Sequence, residues 1–337
     1  MTSTPPTGTR PTDGAPEAWR GRARRAMTWA SAAGAALALA AAAVAWSWSG
    51  ELPAEAASHW SGSGVPDGFS TPSSLVLLCT ALALGLVALF CAIGTLAGSA
   101  ASTRRIAAAG SVWSGGFAGG LLLVTLAPQR GLDDASQVGL SAGAMALVLV
   151  APLVPAVVAA MLVPGDPVLA AAAPVPSDAP RVAVRDGERV VWLRRATGGP
   201  GLAVGAVSIL VTVALAVVTQ TWGMLVVPVL LAGLFVAMFA FSVRVDGSGL
   251  TVRSVAGWPG THVPAAEVLA ASVVHVSPFR EFGGWGWRVG SGGRVGVVLR
   301  QGEGLLVERS GGRSLVVTVD DAATAAALLN TAAERAR

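Results

Sequence analysis

Long uncharged, apolar stretches alternate with short polar segments through the first two thirds of the chain. Before residue 164 these stretches lie at Ala26–Gly50, Ser73–Leu96, Ala108–Ala127 and Gly139–Val163. A helix needs about 20 apolar residues to cross the hydrocarbon core, so each stretch predicts one membrane span. A further run over residues 196–243 is long enough for two spans joined by a turn. The pattern therefore predicts an α-helical membrane bundle of about six spans.

Residues 1–25 are rich in Pro, Thr, Gly and Arg and end in a basic cluster, Arg20, Arg22, Arg24 and Arg25. The lack of apolar periodicity predicts a disordered tail in front of the first span. A cleaved signal peptide is the alternative, because a basic start followed by an Ala-rich run also fits one. The apolar run exceeds the roughly 7–15 residues of a signal-peptide core, which favours an uncleaved span.

Three features of the bundle predict how its helices pack and end. Two overlapping GxxxG patterns at residues 115–120 allow close approach of helix backbones, so the third span should lie in the middle of the bundle. Pro152 and Pro155 remove backbone donors and should kink the fourth span. Residues 97–107 are predicted to be a short return loop, and Gln220-Thr221-Trp222 is predicted to be the turn between the last two spans.

All 23 basic residues are arginines, and their distribution predicts an orientation. With the N-terminus inside, the outer loops contain Arg130, and the other 22 arginines (23 − 1) are cytoplasmic. Arginines close to span ends, such as Arg104 and Arg105, count most in this rule. We therefore expect a multi-pass protein of the cell membrane with both termini in the cytoplasm.

After the sixth span, apolar positions alternate with a period of two, which is typical of strands. The first two of seven predicted strands flank Asp246-Gly247-Ser248-Gly249, a hairpin signal. The other five are expected at 268–276, 285–289, 295–300, 304–309 and 314–319. Asp320 and Asp321 are predicted to cap a closing helix with an apolar stripe over residues 325–332. Residues 243–337 are thus predicted to form a small, independently folded α+β domain.

Composition agrees with this organisation, since 53% of residues are hydrophobic and 12% are charged, against about 25% charged in soluble domains. In chain order we predict a cytoplasmic tail (1–25), a four-span membrane region (26–163) with an external loop (51–72), a cytoplasmic linker (164–199), two further spans (200–242) and a cytoplasmic domain (243–337).

Several function classes are disfavoured. The C-terminal segment has ten arginines and eight acids, a net charge of +2 (10 − 8), which is weak for nucleic-acid binding. Cys79 and Cys91 share one apolar run without CxxC spacing, so no disulfide or zinc site is implied. No nucleophile–base pair or histidine cluster indicates an enzyme, and we expect no cofactor. The spans lack ionisable residues, which disfavours ion-coupled transporters and proton pumps.

The loop between the first two spans contains a spaced motif. Its residues are Leu52, Pro53, His59, Trp60, Gly64, Pro66, Asp67 and Gly68. The last three are a tight-turn signal. Between two helices this motif resembles the domain-of-unknown-function 1648 family, over about residues 27–96. Two positions depart from the family pattern, since Ala57 stands where a proline is usual and Ser61 where an asparagine is frequent.

This resemblance implies a membrane unit that also opens the immunity protein for the Sdp toxin, so immunity or signalling is an expectation at family level. The C-terminal segment resembles a bacterial pleckstrin-homology-like domain in its strand count and closing helix. The motifs at residues 278–288 and 317–322 resemble uncharacterised actinobacterial membrane proteins of the same layout. None of these resemblances implies catalysis.

His59 is the residue best suited to chemistry in the external loop. It lies near Glu55 and Asp67 in sequence and could contact an external peptide or small ligand in a proton-sensitive way. The alternative, which we favour, is that His59 and Trp60 anchor the loop at the membrane interface or cap a helix end. A single histidine seldom forms a metal site without partners.

A second candidate surface lies in the C-terminal segment. Its residues are Arg280, Glu281, Gly283, Gly284, Trp285, Trp287 and Arg288. The two tryptophans are expected to share one strand face in the core, with Arg288 pointing away. The loop before them could dock onto a cytoplasmic protein or a lipid headgroup. Gly284-x-Gly286 lacks a third glycine and a following helix, which disfavours a dinucleotide site.

We therefore expect a non-catalytic sensor, immunity or scaffold protein of the cell envelope. The alternative is a transporter of an uncharged substrate, or an accessory subunit of one, with a path along the kinked fourth and sixth spans. An enzyme ranks third.

Overall fold

The computed structural model describes residues 14–61, 64–98, 100–185, 187–290 and 293–337. Within them, six helical segments are long and apolar enough to cross a membrane. They are α1 (Gly14–Ser47), α2 (Pro72–Leu96), α3 (Ala101–Leu126), α4 (Ala142–Val150) with α5 (Leu153–Leu162), α6 (Gly199–Val218) and α7 (Val226–Phe239). This is the build of a multi-pass membrane protein, as predicted.

Two helices begin earlier than the hydropathy pattern indicates. Residues 14–25, expected in a disordered tail, form the start of α1, while the rest of that tail, residues 1–13, lies outside the described residues. The predicted return loop at 97–107 is shorter, because α3 already begins at Ala101. The carboxylate of Asp166 accepts a hydrogen bond from the Ala101 amide at 3.0 Å and thereby satisfies a free donor at the helix start.

α3 is the central helix, as its GxxxG patterns predict. Half of the residues in the most apolar stretch of this helix are buried, against 6–22% in the other five spans. A Cβ atom on Gly115 would lie 1.9 Å from the carbonyl oxygen of Gly34, and one on Gly119 would lie 2.8 Å from Cβ of Ala41. α1 therefore contacts α3 backbone to backbone, which only small residues permit.

The fourth span is broken at the prolines, as predicted. α4 ends at Val150 and α5 begins at Leu153, with Pro152, which has no N–H to donate, directly before α5. α6 and α7 form a helical hairpin through the predicted turn, where Gln220 has φ of 54°. The chain thus crosses the bundle an even number of times.

β1 (Ala56–Trp60) and β2 (Pro66–Ser70) form an antiparallel hairpin between α1 and α2. The segment Pro66–Gly68 lies in β2, so the tight turn predicted there is wrong. The strands are joined before Pro66 instead, where the amide of Ser61 donates to the Val65 carbonyl at 2.9 Å. Pairing with β1 satisfies the backbone groups of this segment, and that gain overrides the local turn preference of Pro-Asp-Gly.

The C-terminal domain contains two sheets and a closing helix, α9 (Ala322–Arg335). The antiparallel first sheet has the order β3 (Trp192–Thr197), β4 (Ala240–Asp246), β5 (Gly249–Ser254) and β6 (Gly260–Pro264). The second sheet has the order β7 (Val268–Val276), β10 (Gly302–Arg309), β11 (Arg313–Thr318), β9 (Val295–Val298) and β8 (Gly286–Val289). β11 and β9 are parallel, and the other pairs are antiparallel.

All seven predicted strands are present, and two more are found. β6 is short and is bounded by Gly260 and Pro264, which hide it from the alternation pattern. β3 lies in the stretch predicted to be a linker and pairs along its whole length with β4, with Thr197 opposite Ala240. The domain is therefore discontinuous in sequence, since α6 and α7 are inserted into the connection between β3 and β4.

The domain's apolar core lies between the two sheets and α9. Fully buried members include Phe241, Val243, Leu250, Leu305, Leu315 and Leu329, and Val175 and Trp192 from before α6 also belong to it. Asn330 of α9 is completely buried, and its amide bonds both the N–H (2.8 Å) and the C=O (2.9 Å) of Ala271 in β7. Val175 and Trp192 thus share the core with α9, and the hydrogen bonds of Asn330 join β7 to α9.

The predicted aspartate cap of α9 is only partly correct. Asp321 occupies the capping position, but its carboxylate accepts from Thr324 Oγ1 (2.6 Å) and Trp192 Nε1 (3.1 Å). The backbone amide of Ala322 donates instead to Glu303 Oε1 at 2.9 Å. The reason is the left-handed backbone of Asp321, with φ of 60°.

Candidate functional site

Gln129 ties the hairpin to the end of α3. Its side chain is completely buried, and its Nε2 donates to the carbonyl oxygens of Ala57 (2.9 Å) and Thr125 (2.8 Å). Its Oε1 accepts from the amide of Ala57 at 2.7 Å. One amide therefore satisfies both backbone groups of a buried strand residue, as a neighbouring strand would. Gln129 is not among the predicted site residues. Its one signal in the sequence is a polar side chain directly after an apolar span.

An ion pair lies beside Gln129. Arg130 pairs with Glu51 at 2.7 Å, and its guanidinium carbon is 4.8 Å from the ring centre of Trp48, the residue after α1. The amide of Gly131 donates to the Glu51 carbonyl at 2.7 Å. Both charged side chains are substantially exposed, so this pair contributes little compared with the buried amide of Gln129.

His59 and Trp60 occupy different environments, although they are adjacent. The His59 ring is 74% exposed, and its Nδ1 lies 2.5 Å from Oδ1 of Asp67 on the paired strand. A Cβ on Gly68 would come within 2.9 Å of the His59 Cβ, so glycine is required opposite the histidine. Trp60 is half-buried, and its Nε1 donates to the Val138 carbonyl at 2.6 Å. Trp60 therefore anchors the hairpin to the loop after α3, whereas His59 and Asp67 form a pair on the exposed face.

The other motif residues support the shape of the loop. Leu52 packs against the apolar cluster formed by Ala45, Leu122 and Leu126 where the hairpin meets α1 and α3. Pro53 is buried, and Gly64 has φ of +78°, which the reversal of the chain requires.

A crevice of about 290 Å³ lies under the hairpin. His59 and Trp60 contribute to one wall, and apolar side chains of α2, α3 and α4 contribute to the others. Among the described residues, no group of three or more His, Cys, Asp or Glu side chains could hold a metal ion. The arrangement offers an apolar crevice with a histidine–carboxylate pair at its edge, which suits binding of a ligand.

The second candidate surface is only partly available for docking. Trp287 is buried against Phe241, with ring centres 5.9 Å apart, so the core prediction is correct for it. Trp285 precedes β8 and packs edge-on against Phe279, so the two tryptophans do not share a strand face. Gly284 and Gly286, with φ of 139° and 103°, turn the chain between them.

The charged residues of that surface also divide. Glu281 accepts from the Ser277 amide at 2.8 Å and pairs with Arg294 at 3.1 Å, so it stabilises the loop from within. Arg288 donates to the Trp285 carbonyl at 2.7 Å. Gly283 ends α8 (Pro278–Phe282) in the left-handed conformation. Arg280 remains exposed, beside Phe279.

The other end of α3 carries a buried charge network that the sequence does not predict. Arg104, only 4% exposed in its side chain, pairs with Asp166 at 2.8 Å. Glu267, 1% exposed, pairs with Arg309 (2.6 Å) and Arg313 (3.3 Å), and it accepts from the Leu169 amide at 2.9 Å. The segment after α5 thus joins α3 to the domain through ion pairs and hydrogen bonds.

Arg313 connects the two halves of this network. It donates to the Pro167 carbonyl at 3.3 Å and to Glu267, and the segment containing Pro167 also carries Asp166. Burial first and the neighbouring Arg309 charge second lower the pKa of Arg313, while Glu267 and Asp166 oppose that shift. Arg313 thus contacts both the segment after α5 and Glu267 of the domain.

Comparison with known proteins gives one result that bears on the hairpin. A family model described as "Domain of unknown function (DUF1648)" matches residues 35–84. The match covers the second half of α1, the whole hairpin and the first half of α2. This part of the chain is similar to that family, as the motif predicts. No curated protein and no solved structure matches the chain.

Proposed function

We propose that this protein is a non-catalytic sensor, immunity or scaffold protein of the cell envelope, with the hairpin outside and the domain in the cytoplasm. The arginine distribution supports this orientation, because Arg130 is the one arginine in the loops at the hairpin end of the bundle. An even number of spans keeps both termini on the opposite side.

The observation that carries the proposal is that side chains at the two ends of α3 bind the hairpin and the segment next to the domain. Gln129, at the end of the short 3-10 turn that continues α3, holds the hairpin, and Arg104 near the start of α3 holds Asp166 next to the domain. α3 has 26 residues, which at ~1.5 Å per residue is about 39 Å, enough to cross the bilayer. One packed helix thus contacts both the ligand-accessible end and the domain, as coupling between them requires.

The ligand that the hairpin suits best is an external peptide, with a small molecule in the crevice as the other option. In the described chain β2 has a strand partner on one edge only, and an extended peptide can pair with such an edge. Val65 and Phe69 add exposed apolar surface beside it. His59 and Asp67 supply a polar contact for specificity.

We further propose that the C-terminal domain is pleckstrin-homology-like and docks onto a cytoplasmic protein or lipid headgroup. Its two sheets closed by a C-terminal helix support that fold. Phe279 and Arg280, both exposed on the short helix α8, support the docking role. The immunity role rests on the family-level resemblance of the hairpin unit.

Coupling is tested by hydrogen exchange on the full chain in nanodiscs. We expect Trp60→Ala to increase exchange both in the hairpin and in residues 164–170, because loosening the hairpin releases α3 at its other end. Val65→Ala, an exposed position on the same hairpin, serves as the control and should leave residues 164–170 unchanged. An effect of Trp60→Ala confined to the hairpin would contradict the sensor proposal.

Orientation is tested by cysteine labelling in a variant lacking Cys79 and Cys91. A cysteine at Glu55 should react with an impermeant maleimide on intact cells, and one at Val255, which is 61% exposed, should react only after lysis. The reverse pattern would place the hairpin inside.

A second candidate function is transport of an uncharged, apolar substrate. A crevice of about 690 Å³ lies between α3, α5 and α7, beside the break in the fourth span. Trp113 and Met161 are among its largely apolar lining residues. Substrate uptake by vesicles containing the purified protein would favour this function over sensing.

A further inference from the structure

A cavity of about 350 Å³ lies at the junction between the bundle and the domain. Its walls come from α1, the end of α2, the start of α3, the segment after α5 and the turn before β11. Three of its lining residues are arginines, Arg24, Arg104 and Arg313, and Trp19 lies beside them. None of the described lining residues is a carboxylate, so the cavity is cationic.

The buried charges around this cavity do not balance. Arg104, Arg309 and Arg313 have side chains 4%, 8% and 13% exposed. They face two carboxylates, Asp166 and Glu267, which leaves one positive charge in excess (3 − 2). Burying an uncompensated charge is strongly unfavourable, so an anion next to these arginines would stabilise the junction.

Arg104 also has an unused donor. One terminal nitrogen donates to the Gly98 carbonyl at 2.6 Å and the other to Asp166 at 2.8 Å. Its Nε is buried and lacks a hydrogen-bond partner anywhere in the described part of the chain. The guanidinium carbon lies 4.7 Å from the ring centre of Trp19, which holds the group in place. A buried guanidinium N–H without a partner matches the need of an oxyanion for a charged donor.

We propose that this junction cavity binds a phosphate group, and specifically the headgroup phosphate of an anionic phospholipid. Arg104 donates to the phosphate from Nε, Arg313 contributes positive charge from the domain, and Arg24 closes the site from α1. Met27 and Leu96, from membrane-spanning helices, supply an apolar wall beside the cationic one, as a lipid requires and a free anion does not.

Such a ligand would bridge three elements that meet only here. Arg104 belongs to α3, Arg313 to the domain and Arg24 to α1. A bound headgroup therefore strengthens the contact between bundle and domain, and its loss weakens that contact. The proposal is independent of the sensor role, because it requires no external ligand.

The test uses the purified full chain in detergent and measures thermal unfolding against added phosphatidylglycerol, phosphatidylcholine or inorganic phosphate at constant ionic strength. We expect phosphatidylglycerol to raise the unfolding temperature with saturation, and phosphatidylcholine to have no such effect. Saturating stabilisation by inorganic phosphate, without a further effect of lipid, would support the cavity but identify a free anion as its ligand.

Arg24→Gln is the informative variant, because Arg24 is exposed and forms no ion pair among the described residues, so folding should be normal. We expect the apparent affinity for phosphatidylglycerol to fall about fivefold, as for removal of one arginine near a lipid surface. Arg22→Gln is the matched control, since Arg22 is exposed on the same helix but does not line the cavity. Arg104→Lys should weaken binding further by removing the Nε donor.

Three results would overturn the proposal. One is equal stabilisation by phosphatidylcholine, which would indicate a general lipid effect. Another is an equal loss of affinity in Arg22→Gln and Arg24→Gln, which would indicate unspecific attraction to the basic helix. The third is the absence of any stabilisation by lipid or phosphate in the wild-type chain.

Discussion

The two ends of α3 hold their partners by different means. At one end, a two-stranded hairpin is fixed by the neutral amide of Gln129 and by the indole of Trp60. At the other end, a domain with its own apolar core is joined through Arg104, Asp166 and the Glu267 network. The hairpin packs on the apolar cluster of the bundle, whereas the domain has an apolar core between its two sheets and α9.

This difference has a physical reason. A two-stranded hairpin is marginal in water and gains order only when its backbone groups and apolar face are satisfied by a neighbour. A domain that buries an apolar core of its own can be joined to a neighbour through charges and hydrogen bonds, as here through Arg104, Asp166 and Arg313. We therefore expect the contact at the domain end to open more readily than the attachment of the hairpin.

The largest expected effect comes from separating the domain from the bundle. Thr197 and Ala240 are paired neighbours, so an Asn-Gly turn can replace residues 198–239 and close a β3–β4 hairpin directly. We expect residues 168–337 with this replacement to be soluble and monodisperse, with cooperative thermal unfolding.

The matched control is residues 243–337 alone, which sequence periodicity predicts to be independent but which lack β3 and the buried Trp192. We expect this shorter chain to aggregate. Equal behaviour of the two chains would mean that β3 is not part of the domain, and a disordered closed chain would mean that its core needs the bundle.

The second effect concerns the buried charges. It is measured by urea unfolding of residues 168–337 with the Asn-Gly replacement, which we call the closed domain. Glu267→Gln leaves Arg309 and Arg313 without their carboxylate, which should cost about 3–5 kcal/mol of unfolding free energy. Glu308→Gln, at an exposed position of β10 next to Arg309, should change it by no more than about 0.5 kcal/mol. Similar losses in both variants would show that burial of Glu267 does not matter.

The third effect concerns the hairpin end. Gln129→Ala leaves the N–H and C=O of Ala57 buried without partners, at a cost of about 1–3 kcal/mol for each unsatisfied group. We expect faster hydrogen exchange across β1 and β2 and in residues 164–170 at the other end of α3 in the full chain, with the core strands of the domain unchanged. Gln137→Ala, an exposed glutamine of the following loop, is the control. Unchanged protection of β1 in Gln129→Ala would contradict the role given to this amide.

The smallest effect is a pH dependence at Asp321. Hydrogen bonds from Thr324 and then Trp192 hold the pKa of Asp321 below its usual value, and the Arg194 charge adds to them. A carboxylate with a depressed folded-state pKa stabilises the fold above its unfolded pKa of about 3.9, and this contribution is lost as the pH falls through the folded-state value. Asp321→Asn should therefore be less stable than the wild-type closed domain at pH 6, with the difference shrinking towards pH 2. A difference independent of pH would exclude this cause.

Features set by local pattern could be predicted from the sequence. The six spans follow from hydropathy, the central position of α3 from its glycines, and seven strands from alternation. The failures involve contacts between residues far apart in the chain. β3 carries two exposed arginines, Arg194 and Arg195, and 42 residues (198–239) separate it from its partner strand, so no local signal marks it.

The candidate site shows the same division. Trp60 could be identified from its place in a spaced motif, although its partner Val138 could not. The ion pair of Arg104 with Asp166 spans 62 residues, and that of Glu267 with Arg309 spans 42. Neither pair follows a periodicity, because each is specified only when the helices and the domain have come together.

The insertion of α6 and α7 between β3 and β4 also sets the order in which the domain can fold during synthesis. β3 emerges from the ribosome before two membrane helices, and its partner strand emerges only after both. The domain can close only when the chain has crossed the bilayer through α6 and returned through α7, so that Thr197 and Ala240 lie on the same side. A chain that inserts one of them wrongly leaves β3 and β4 on opposite sides, where each exposes an unpaired edge. Pairing of β3 with β4 therefore requires that both of the last two helices have inserted correctly.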